Sequence, residues 1–202
     1  MVEKLSRHIA LWLIKSGILE NDDIDLYIYA IQYLLLIINP TIIFTAYCIA
    51  THNITIGLIE VFSFLLIRKY CGGYHCQSST ACLIFSAIML IGIAWLSSLI
   101  KPSLHMFSVL VIADIELIIK GPIISVNHSV SDFEKIYYHK CLIGILSVLN
   151  IIIIITAAYR FYHITSCISV VIIFCFILHL ACMTRKTGSC TTNQYNFLLS
   201  IL

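Results

Sequence analysis

The sequence predicts an all-α integral membrane protein with six transmembrane helices, an N-terminal interfacial helix and both termini cytoplasmic. Three observations predict it. The 202 residues are 60% hydrophobic and 11% charged, with mean hydropathy +1.01, whereas soluble domains are roughly 45–50% apolar. Uncharged stretches cover Leu26–Asn53, Leu83–Ile100, Cys141–Tyr159 and Phe161–Thr184, each near the roughly 18–20 residues that cross hydrocarbon as a helix. The cations are also unevenly spread. With six spans and a cytoplasmic N-terminus, 10 of the 12 Lys and Arg residues fall inside, and only Lys101 and Arg160 fall outside, the asymmetry expected of positive-inside insertion.

Residues 1–20 mix Lys4, Arg7, His8 and Lys15 with Leu5, Ile9, Trp12 and Leu13 and lack a small-residue cleavage site. They read as an interfacial helix rather than a signal peptide. The acidic run Glu20–Asp25 suits the polar start of the first span, where carboxylates favour a helix N-terminus. Within that span Asn39-Pro40 predicts a kink, because proline removes one backbone hydrogen bond.

Two weaker segments, Ile54–Ile67 with Glu60 and Ser103–Ile119 with Asp114 and Glu116, complete the count of six. They can cross if their carboxylates face other helices or the interface. The transmembrane core is then 26–184, with a polar hinge at 68–82, a cytoplasmic loop at 120–140 and a cytoplasmic tail at 185–202. No repeat or separate soluble domain is expected, so 1–202 reads as one membrane domain.

A net charge of +2 gives no reason to expect nucleic acid. Of the nine cysteines, Cys48, Cys141, Cys167, Cys175 and Cys182 lie in or at the ends of apolar spans, where Cys behaves as a small hydrophobe. Cys71, Cys76, Cys82 and Cys190 lie on the expected cytoplasmic side, where thiols stay reduced. No disulfide role is expected.

The hinge carries the chemistry. Arg68-Lys69-Tyr70-Cys71-Gly72-Gly73-Tyr74-His75-Cys76-Gln77-Ser78-Ser79-Thr80-Ala81-Cys82 holds a base, a nucleophile, paired glycines and two cations, more than a simple connection needs. In one continuous helix His75 and Cys82 would be separated by about 10.5 Å along the axis, too far to hydrogen-bond. Gly72-Gly73 instead favours a turn, and Ser78 or Ser79 suits the N-cap of the next helix. Cys82 then falls in the first turn, where the helix dipole and the cations of Arg68 and Lys69 favour thiolate, while His75 folds back as base. Gln77, a backbone carbonyl, Glu60, Asp114 or Glu116 are the groups available to orient His75.

Zinc is a weaker reading of Cys71, His75, Cys76 and Cys82, because their spacing lacks paired C-x2-C knuckles. Gly72-Gly73 matches neither phosphate-binding glycine motif. No metal or cofactor is expected. A non-enzymatic transporter or peptide exporter, with 68–82 as a gating loop and Glu60, Asp114 and His179 along a path, is the rival class; it leaves the Cys–His spacing unexplained.

The pattern Arg68-Lys69-x2-Gly72-Gly73-x-His75-x6-Cys82, directly after a hydrophobic span, resembles the accessory gene regulator B family. Chain length, six spans and a second polar loop from Pro122 to Glu134-Lys135 extend the resemblance over nearly the whole chain. The resemblance implies a thiol endopeptidase of a bacterial cell membrane, multi-pass and with its active site on the cytoplasmic side. His75 and Cys82 would be the catalytic pair, with Arg68 and Gly73 also tied to activity. It further implies that the enzyme cuts the acidic tail from a short amphipathic AgrD-like quorum-sensing propeptide, retains the rest as a thioester, and promotes closure of a thiolactone or lactone ring. The 120–140 loop, with Lys120, Lys135 and Lys140, would hold the acidic peptide, and a homodimer in the lipid bilayer is implied. Cys71 and Cys76 depart from the family, where these positions are commonly small.

Overall fold

A computed structural model describes residues 2–18, 24–72, 79–123 and 131–184. Seven helices account for nearly all of them: α1 (Val2–Lys15), α2 (Ile24–Ala50), α3 (Ile54–Cys71), α4 (Ser79–Leu99), α5 (Leu104–Lys120), α6 (Asp132–Ala158) and α7 (Tyr162–Thr184). Among the described residues, four stretches are long and apolar enough to cross a membrane: Ile24–Ala50, Thr80–Leu99, Phe133–Ala158 and Tyr162–Met183. The shorter α3 and α5 are outside that set.

The chain divides into two compact units. One contains α1, α2 and α4 as far as Gly92; the other contains α3 from Thr55, the remainder of α4, and α5, α6 and α7. In the first unit α1 packs on α2. Val2, Ser6 and Ala10 form its buried stripe, while Leu5, Leu11 and Trp12 stay exposed. Helix α2 runs unbroken through Pro40, with Asn39 Nδ2 donating to the Leu35 carbonyl and Thr41 Oγ1 donating to that of Ile37.

The second unit is built around α7. Its span is 61% buried, against 17–22% for the other three. Met106, Leu110, Ala113 and Leu117 make the buried stripe of α5, which packs on α7.

Cross-helix bonds fix the directions. The Cys167 thiol lies 3.8 Å from the Ile56 carbonyl and the Cys71 thiol 3.3 Å from His179, so α3 and α7 run the same way. Ser166 Oγ donates to the Ile100 carbonyl just before α5, and Ile123 N donates to the Cys71 carbonyl just after it, which aligns α5 with them. Thr156 meets Thr165, and His139 bonds the Ile118 carbonyl, so α6 runs oppositely. Arg68, Lys69, Lys120, Lys135 and Lys140 consequently gather at one end of this unit, with Lys101 and Arg160 at the other.

The weak segments turn their carboxylates inward. Glu60 is fully buried, and Asn150 Nδ2 donates to Asp114 Oδ2 at 3.0 Å. Arg68–Cys71, read from sequence as part of the hinge, form the last turn of α3, and Ser79–Cys82 form the first turn of α4; likewise Lys120 ends α5 and Asp132 starts α6. Polar side chains at helix ends read as loop because they face solvent, yet their backbone bonds are still made within the helix. Among the described residues, Cys48, Cys71, Cys82, Cys141, Cys167 and Cys175 form no disulfide.

Candidate active site at the hinge

Cys82 is the fourth residue of α4, a free and partly exposed thiol. Helix formation from Ser79 places Cys82 in the first turn of α4, where the backbone N–H groups have no partner within the helix. Helix α4 begins at Ser79. His75, Gly73, Gln77 and Ser78, together with Cys76, fall outside the described residues, as does the tail 185–202. Cys82 belongs to the first unit; Arg68, Lys69, Gly72 and Lys135 belong to the second.

The second unit shapes the start of the hinge. Arg68 is half-buried and Lys69 exposed, with the Lys69 ammonium 5.2 Å from the centre of the Tyr70 ring, within cation–π range. The Tyr70 ring in turn meets Tyr138 of α6 edge-on at 6.0 Å.

Gly72 then leaves α3 at φ +73°, a left-handed conformation that glycine adopts without steric cost. A Cβ there would collide with the Ile123 carbonyl oxygen. The same Ile123 donates its N–H to the Cys71 carbonyl at 2.9 Å. Gly72 is therefore required twice over, by its backbone angle and by the close approach of the segment after α5.

Lys135 is half-buried in the first turn of α6. Ser131 caps this helix: its Oγ accepts from Glu134 N, and Glu134 Oε2 accepts from Ser131 N at 2.9 Å, a reciprocal capping box.

A sulfur–imidazole contact joins the end of α3 to α7. Cys71 Sγ is 3.3 Å from His179 Nδ1, with the two residues 1% and 0% exposed. Sequence reasoning noted both residues but not their pairing, because no local pattern relates positions 108 apart. Among the carboxylates weighed as orienters of His75, Asp114 is held by Asn150 and Glu116 pairs with Lys120. Glu60 sits eleven residues before Cys71 on α3, about 16 Å down the helix.

Residues 6–183 match the family described as accessory gene regulator B. No curated protein and no solved structure matches the chain.

Proposed function

This chain belongs to the accessory gene regulator B family, and on that premise we propose that it is a membrane-embedded cysteine endopeptidase. Membership ties it to the processing of a quorum-sensing propeptide. The observation that carries the finer reading is Cys82, a free, partly exposed thiol in the first turn of α4, within the matched residues.

His75 takes the Cys82 thiol proton, and the sulfur attacks the carbonyl carbon at the junction with the propeptide's acidic tail. The tetrahedral intermediate collapses as the C–N bond breaks, and His75 returns the proton to the departing amine. The remaining peptide is left on Cys82 as a thioester. A thiol or hydroxyl within that peptide then attacks the same carbonyl, and the Cys82 sulfur leaves and regains a proton. When the attacking group is a thiol, one thioester replaces another, so the step is nearly balanced. Exclusion of water at a membrane interface favours ring closure over hydrolysis.

Arg68, Lys69 and Lys135 are the cations we assign to the acidic tail. Gly72 and Gly73 let the hinge turn, Ser78 and Ser79 start α4, and Gln77 is a candidate orienter of His75. Six spans with cytoplasmic ends agree with the shared direction of α3, α5 and α7, the opposite run of α6, and the cations gathered at one end. A homodimer in the bacterial cell membrane completes the reading.

The Cys71–His179 contact favours one alternative, a catalytic pair at those positions. Their burial opposes it. The deciding experiment co-expresses a propeptide with the wild type and with Cys82→Ala, His75→Ala and Cys71→Ala. Tail release lost in the first two variants and kept in the third supports the proposal; unchanged release in Cys82→Ala eliminates it, and release lost in Cys71→Ala instead assigns the nucleophile to the buried pair.

A further inference from the structure

The second unit contains a cavity of about 550 Å³ bounded by α3, α6 and α7. Along α3 it runs from Ile59 to Tyr70, and along α6 from Ile152 back to Cys141. Eleven helical residues correspond to about 16 Å, close to half of a hydrocarbon core about 30 Å thick. The cavity is open to the surroundings, since Phe62 and Val148 on its lining are 67% and 56% exposed.

Its length and its almost wholly apolar lining suit a flexible hydrocarbon chain one leaflet long.

One end of the cavity is different. Tyr70 lies there with Lys69 over its ring, and Tyr137 and Tyr138 stand one turn before Cys141, their rings 6.0 Å apart. Lys140, exposed, adjoins Cys141. Tyrosine and lysine at the end of a membrane span mark the headgroup level, and basic sites between spans on the cytoplasmic side recognise anionic headgroups. We infer that this groove is a binding site for an anionic phospholipid, with one acyl chain between α3 and α6 and the phosphate beside Lys69 and Lys140. The inference does not depend on which cysteine is catalytic.

Gly144 makes the site testable. It lines the groove, and a Cβ built there meets nothing within 4 Å, so a larger side chain enters empty space, and replacing a mid-helix glycine favours the helix.

The test places the full chain in nanodiscs with a photoactivatable group in one acyl chain of either phosphatidylglycerol or phosphatidylcholine, and labelled peptides are mapped by mass spectrometry. In the wild type, phosphatidylglycerol is expected to label 59–70 and 141–152 about fivefold more than phosphatidylcholine, the effect of one cation near a phosphate. Lys69→Gln together with Lys140→Gln should remove that preference. Gly144→Phe should remove groove labelling while labels on α1 and α2 persist, and Gly144→Leu is the second plug if the phenylalanine variant fails to give native helical circular dichroism. Groove labelling unchanged in a folded plugged variant overturns the tail site. Equal labelling by both lipids in the wild type overturns headgroup selection. Crosslinks from these peptides to a second copy, in place of lipid, overturn the lipid occupant.

Discussion

Cys71 Sγ lies 3.3 Å from His179 Nδ1 in the interior of the second unit, joining the last turn of α3 to α7. The contact takes out of circulation a thiol that, from sequence, rivals Cys82. A residue 1% exposed meets a reagent only through local opening, whereas Cys82 is already partly exposed. Maleimide should therefore modify Cys82 at least about tenfold faster than Cys71 in the folded protein, a ratio that an opening cost of only about 1.4 kcal/mol produces. Peptide mapping after brief labelling checks it; equal rates would show that α3 and α7 separate readily at this end.

Gly72 is the strictest backbone requirement at the hinge. Gly72→Ala must accommodate φ +73° and displace the Ile123 carbonyl. The angle alone costs on the order of 1 kcal/mol, and the displaced contact adds to it. We expect a lower thermal midpoint and reduced tail release. Gly144→Ala is the control, because its added methyl meets nothing within 4 Å and should be neutral or slightly stabilising. If both variants behave alike, the close approach of Ile123 to the hinge is not maintained in the membrane.

Much of this arrangement is legible in the chain itself. Apolar stretches give the long helices because a span in lipid must satisfy its backbone internally, and Ser79 is recognisable as a helix start because its neighbours are polar and small. Helix ends were less legible: Arg68 and Lys69 resemble loop residues, yet they complete α3, as Lys135 belongs to the first turn of α6. The Cys71–His179 pairing and the groove along α3 were not legible at all. Both depend on which faces of distant helices meet, and the nearly uniform apolarity of α3, α6 and α7 removes the polar and apolar stripes that ordinarily announce a face.

Glu60 tests how the short α3 tolerates an acid. It is fully buried, and neither carboxylate oxygen has a hydrogen-bond partner among the described residues. A buried polar group left in that condition costs about 1–3 kcal/mol. Glu60→Leu, which keeps most of the volume and removes the polar atoms, is thus expected to raise the thermal midpoint in detergent, or at least not lower it. A clear loss of folded protein would mean that the carboxylate bonds a group that stabilises α3.

The start of α6 depends on a polar exchange rather than on packing. Ser131 and Glu134 satisfy one another's backbone N–H groups across the first turn, and Lys135 follows directly. Removing one half of such a box costs about 1 kcal/mol, too little to unfold a helix whose remaining length is apolar. Ser131→Ala should therefore fray only the first turn, raising amide hydrogen exchange at 132–135 while 141–158 remains protected. Because Lys135 is one of the cations assigned to the acidic tail of the propeptide, the same variant is expected to raise KM for tail release and leave kcat nearly unchanged. A fall in kcat at constant KM would place this turn in the chemical step and require a different role for Lys135.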